Sequence, residues 1–103
     1  MQINIAGHHV EVTDGIRDAV NNRFKKIASH YPDLDGITVT LTVERNEQKV
    51  EVHSLFKGAP ISVTASNSDL YAAIAEAARK MDASLETRKG SLSAQRNNRP
   101  TVD

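Results

Sequence analysis

The chain has 103 residues, no cysteine, and 13 basic against 13 acidic side chains, for a net charge of zero. These figures describe one small domain with a modest core, and they exclude a disulfide framework, a thiolate nucleophile and a zinc–thiolate site. No apolar run approaches the roughly 20 residues of a membrane span, and the alternating start Met1-Gln2-Ile3-Asn4-Ile5 is unlike a signal peptide, so a cytoplasmic protein with no membrane partner is expected.

Residues 2–6 alternate, with Ile3 and Ile5 on one face, and read as a first strand; residues 7–12 read as a connector. Thr13 is a good N-cap and Asp14 suits the first turn. Ile16, Val20, Phe24, Ile27 and Tyr31 then form an apolar stripe, predicting a helix over 14–30 that Pro32 ends. Residues 37–44 alternate apolar side chains with threonine and predict a strand with one buried face. After a turn at 45–48, residues 49–57 give a third strand, in which Ser54 inward and Leu55 outward break the alternation. A turn at 57–60 leads to a fourth strand over 61–65, with Pro60 at its entrance.

Residues 68–89 predict the second helix, around which the rest is organised. Leu70, Ile74, Ala77, Ala78, Met81 and Leu85 share one stripe, Asn67 or Ser68 is the expected cap, and Gly90 the expected stop. The fold class is therefore α+β, a β-α-β-β-β-α two-layer sandwich with a four-stranded sheet and two helices on one face. Strands one and two are expected to run parallel, joined by a right-handed crossover. One domain is expected over residues 1–90, followed by a mobile, mildly basic tail over 91–103.

Little here suggests chemistry. The chain lacks G-x-S-x-G, H-E-x-x-H and glycine-rich phosphate loops, and its carboxylates are scattered over outward positions, so no catalytic residue and no cofactor are expected. His8, His9 and Glu11 invite a metal reading, but adjacent histidines in an extended stretch point to opposite sides, so no metal site is expected either.

The cations are more informative. Residues 79–103 hold 6 basic and 3 acidic side chains, which places a positive excess on the second helix and the tail. Arg23 and Lys26 lie three apart on one flank of the first helix, beside Asn22 and Ala19. On the second helix Lys80 lies on a flank, Arg79 points away from the sheet, and Arg88 and Lys89 crowd the last turn. Two helices on one sheet face leave a groove, and cations on both flanks of it suit phosphate oxygens. The plainer reading is that these side chains snorkel over the core edge of an interaction module. Such a module would use the open sheet face, where Thr38, Thr40, Thr42, His53 and Leu55 gather. Tyr71, on the shoulder of the stripe, is expected to pack against the sheet edge, with stacking on a base as the alternative.

The start Met1-Gln2-Ile3-Asn4-Ile5, then Glu11-Val12-Thr13 with Ile16-Arg17, and above all Asp69-Leu70-Tyr71-Ala72-Ala73-Ile74 resemble the ribosome hibernation promoting factors of the short form. The resemblance runs from Met1 to about Lys89, and Leu70 replaces the methionine of the family's Asp-Met-Tyr-x-Ala-Ile signature. It implies a fold like that of double-stranded-RNA-binding domains. It also implies a translation inhibitor in the decoding and messenger-channel region of the small ribosomal subunit, promoting hibernation by ribosome dimerisation in stationary phase and under stress. The implied partners are the rRNA and proteins of that subunit, with a second hibernation factor as a further candidate. The rRNA-binding positions matched are Arg23, Lys26, Lys80, Arg88 and Lys89, with Arg79 as a neighbour able to compensate where Ala83 and Thr87 replace the family's further cations. A sister protein, protein Y or ribosome-associated inhibitor A, has a longer acidic extension and prevents pairing. Arg96 and Arg99 against Asp103 favour the hibernation factor over it, and inactivation of single ribosomes stays the alternative.

Overall fold

The computed structural model describes residues 2–97, with side chains through residue 90. Its elements run β1 (Ile3–His8), α1 (Asp14–His30), β2 (Ile37–Val43), β3 (Gln48–Phe56), β4 (Ala59–Asn67) and α2 (Leu70–Asn97). The sheet has the order β1-β2-β3-β4. β1 pairs parallel with β2, from Ile3 opposite Ile37 to His8 opposite Thr42, and the two hairpins that follow are antiparallel. Both helices lie on one face, α1 over β1 and α2 over β3 and β4, so the expected α+β sandwich is what forms.

The stripes predicted from periodicity are the core. Ile16, Val20, Phe24, Ile27 and Tyr31 of the first stripe are buried, and so are Ile74, Ala77, Ala78, Met81 and Leu85 of the second. They meet Val39, Leu41, Val50 and Val52 from the inner face of the sheet, all at 0% exposure. Fully burying one aliphatic or aromatic side chain contributes about 1.5–3 kcal/mol, so interdigitation of these three surfaces is what holds the layers together.

Local chemistry sets the boundaries. Thr13 caps α1 as expected, its hydroxyl oxygen accepting from the Ile16 N–H at 3.3 Å. The cap of α2 is one residue later than expected: Asp69 Oδ1 accepts from the Tyr71 N–H at 3.0 Å, and Asn67 Oδ1 accepts from the Asp69 N–H at 3.0 Å. Asn67 thus supports the turn and Asp69 satisfies the orphan donor. β1 also runs further than expected, to His8, before the chain doubles back. A methyl group on Gly7 would lie 2.6 Å from the Val10 carbonyl oxygen, and His9 adopts a left-handed φ of 61° to complete the bend.

The break in β3 has a physical account. Ser54 takes an inner-face position because its hydroxyl donates to the carbonyl oxygens of Asp35 (3.0 Å) and Gly36 (3.1 Å), tying the loop before β2 to the sheet. An apolar side chain there would leave both carbonyls without that donor.

Gly90 does not end α2. Its φ is not positive, a Cβ there would meet open space, and the helix continues to Asn97. A glycine inside a helix costs about 1 kcal/mol relative to alanine, which is a weak interruption unless the next residues demand a turn. No proline follows until Pro100, and Ser91 to Arg96 are helix-compatible types. Of the tail read over 91–103, residues 98–103 and the side chains of 91–97 lie outside the described residues.

Candidate nucleic-acid interface

The two helices run in the same direction. Tyr71 at the start of α2 lies over Gly15 at the start of α1, and the Lys89 ammonium near the far end of α2 sits 5.9 Å from the centroid of the Tyr31 ring at the C-cap of α1. Small side chains at Ala19 and Ala78 line the seam, and between the helices is a groove of about 560 Å³. From α1 it is lined by Asn22, Arg23, Lys26 and His30, and from α2 by Tyr71, Arg79 and Asp82. Residues 19, 22, 23, 26 and 30 recur at intervals of three and four, which is why one flank of α1 delivers them all.

The groove brings together Arg23, Lys26 and Arg79. That corrects the expected placement on α2: Arg79 faces the groove, and Lys80 lies on the opposite flank, over the outer edge of β4. There the Lys80 ammonium donates to the Thr64 carbonyl oxygen at 2.8 Å and lies 3.8 Å from Glu76 Oε2. Arg88 shares that flank and donates through Nη1 to the Pro60 carbonyl oxygen at 3.0 Å. Tyr71 is likewise not at the sheet edge; it packs over α1 and is 50% exposed.

The electrostatics of the groove are mixed along its length. Among the described residues the ion pairs within 4 Å are Lys57–Asp33 and Lys80–Glu76, so Arg23, Lys26 and Arg79 have no carboxylate partner. Asp82 is the acidic residue of the lining. Burial raises the pKa of the Tyr31 hydroxyl, and the carboxylates of Asp82 and then Glu86 raise it further, so the acidic character gathers toward the C-terminal end of α1. Beyond it, His30, Lys57 and Lys89 surround Tyr31 and Phe56, whose rings meet edge-on with centroids 6.1 Å apart.

His30 and Lys57 were not singled out from sequence. His30 is four residues beyond Lys26, so the helical spacing that marked Arg23 and Lys26 also marks it. Lys57 carries a left-handed φ of 53° beside Gly58, and no local signal predicts that its ammonium reaches a position 5.8 Å from the Phe56 ring centroid. Among the described residues no group of three His, Cys, Asp or Glu side chains could hold a metal ion. Among those residues no helix is long and apolar enough to cross a membrane.

The chain is similar to ribosome hibernation promoting factors. It is 38% identical to that of Pseudomonas putida over 89 residues, covering 86% of this chain and 87% of the relative. It is 38% identical to that of Azotobacter vinelandii over 85 residues (82% and 79%) and 30% identical to that of Escherichia coli K12 over 92 residues (89% and 97%). Among solved structures, a ribosomal subunit interface protein from Coxiella burnetii superposes with a TM-score of 0.82 at 18% identity, covering 87% of this chain and 99% of that one, which shows the shared fold. The N-terminal domain of Protein Y from Thermus thermophilus gives 0.76 at 27% identity, covering 84% and 98%. The family described as Sigma 54 modulation protein / S30EA ribosomal protein matches residues 3–93. With the match covering the whole sheet, all of α1 and α2 as far as residue 93, this chain belongs to that family.

Proposed function

We propose that this protein is a ribosome hibernation promoting factor that docks the α1–α2 groove on rRNA of the small subunit and inhibits translation by occlusion. The observation that carries the reading is the convergence of Arg23, Lys26 and Arg79, three cations without carboxylate partners among the described residues, on one groove between two packed helices. Cations held on a rigid scaffold displace condensed counterions from RNA phosphates on docking, and this release drives sequence-independent affinity. The two layers beneath are bulky enough to exclude tRNA and message from the decoding and messenger-channel region, and no bond is made or broken. The relatives are named ribosome hibernation promoting factors, which supports a role in hibernation; ribosome dimerisation in stationary phase is the form of it proposed for this chain.

Lys89 extends the groove set at its far end. Lys80 and Arg88 form a second set on the β4 flank, where their charge serves RNA contact only from a different direction. The domain proper is residues 1–90, with α2 continuing past it.

Sedimentation with ribosomes through a sucrose gradient tests the reading. Co-migration with the small subunit, lost in an Arg23→Ala/Lys26→Ala/Arg79→Ala variant, is the expected result. Wild-type protein remaining at the top of the gradient would favour a protein–protein module on the open sheet face instead.

A further inference from the structure

Two tyrosines occupy opposite situations in this chain. Tyr31 is in the core, edge-on to Phe56, whereas Tyr71 is 50% exposed and, with Leu55, one of two large exposed hydrophobics among the described residues. Tyr71 is not on an arbitrary surface. It lies in the cationic groove with Arg23 and Arg79, its backbone N–H is held by the Asp69 cap, and its hydroxyl end rests over Gly15, where a methyl group would be only 3.0 Å away. The ring is therefore held between two helix N-termini with much of its surface open.

We infer that Tyr71 is a stacking platform for an unpaired nucleobase, so that the groove selects RNA presenting an exposed base beside its phosphates over continuous duplex. The inference rests on the rRNA reading of the groove and adds to it a specificity determinant. Cations without carboxylate partners call for an anionic ligand, and an exposed aromatic ring among them calls for one that also carries a flat π-face. In an A-form helix the bases are already stacked on one another, and only loops, bulges and junctions offer such a face to a protein.

The test uses two RNA hairpins of equal phosphate number, one with an unpaired adenosine in the stem and one fully paired, titrated against wild type, Tyr71→Phe and Tyr71→Leu. Wild type and Tyr71→Phe should prefer the hairpin with the unpaired base. Tyr71→Leu, which keeps apolar cover over Gly15, should bind that hairpin about tenfold more weakly and bind the paired hairpin unchanged. Equal losses on both hairpins, or no loss on either, would overturn the stacking role while leaving the groove reading intact. Failure of wild type to bind either RNA would overturn the groove reading, and the stacking role with it. Circular-dichroism melting of Tyr71→Leu close to that of wild type is the expected control, and a large drop would instead assign Tyr71 a structural role.

Discussion

Lys80 reaches off α2 to donate a 2.8 Å hydrogen bond to the carbonyl oxygen of Thr64, on the unpaired side of strand β4. Arg88, two turns further along, does the same for Pro60 at 3.0 Å. Pro60 and Thr64 are an even number of residues apart, so both carbonyls point to the same open side of the strand, and the absent N–H of Pro60 costs no ladder bond. Two long cations thus lie across an edge that could otherwise template another strand. Replacing both with alanine should lower stability by about 1–2 kcal/mol, from two exposed charge-assisted bonds. It should also raise self-association, read by sedimentation velocity at increasing concentration. A double variant that stays monomeric and loses stability alone would show that the two contacts hold α2 without guarding the edge.

Charge removal in the groove should change the salt dependence of RNA binding more than the fold. Losing Arg23, Lys26 and Arg79 together should flatten the slope of log affinity against log salt by about 2–3 units. Thermal stability should stay near wild type, because all three side chains are exposed and none pairs with a carboxylate among the described residues. The matched Lys80/Arg88 variant separates the two flanks: a slope as flat as that of the groove variant would move the interface to the β4 side of α2.

Gly15 and Tyr71 constrain each other. Gly15→Ala improves helix propensity by about 0.5–1 kcal/mol, while its methyl group would press on the Tyr71 hydroxyl at 3.0 Å. The ring is half exposed and its end can yield, so a net stabilisation of about 0.5 kcal/mol is expected in urea unfolding. The displaced ring should simultaneously weaken binding to the hairpin with the unpaired base. Unchanged binding would mean that the ring position over Gly15 does not matter to the ligand.

Gly7 behaves differently because its obstacle is backbone. A Cβ there would sit 2.6 Å from the Val10 carbonyl oxygen and 3.1 Å from both Val10 Cγ1 and Val12 Cγ2. Gly7→Ala should destabilise by about 1–3 kcal/mol, since the bend from β1 to α1 must open to admit it. His9→Gly, at φ 61°, should be neutral or slightly stabilising in the same unfolding measurement.

The Tyr31 hydroxyl gives the alkaline limit. Burial, then Asp82 and Glu86, hold its pKa above the ordinary 10.0. A group whose folded pKa is raised stabilises the fold fully below its unfolded pKa and loses that contribution as pH rises through the folded value. Stability should therefore fall faster above about pH 10 in wild type than in Tyr31→Phe, with the difference between their urea midpoints absent near neutrality. Parallel decline of both proteins would mean that other groups set the alkaline limit.

What the sequence determined by itself is everything governed by contacts between near neighbours. Alternation at residues 37–43 and the stripes through Phe24 and Met81 fixed which faces are buried, because periods of 2 and 3.6 leave only one way to turn an apolar side inward. Thr13 was readable as a cap for the same local reason, and the Asp69-to-Ile74 signature pointed to the family to which the chain belongs. Gly90 misled because a glycine stops a helix only where the following chain requires a turn. The helical wheel placed Arg79 and Lys80 beside the stripe but could not say which flank meets α1 and which meets the β4 edge. The tertiary structure decided that, through the parallel β1–α1–β2 crossover: it sets α1 over β1, leaves β3 and β4 for α2, and so turns Arg79 into the groove and Lys80 out across the strand edge.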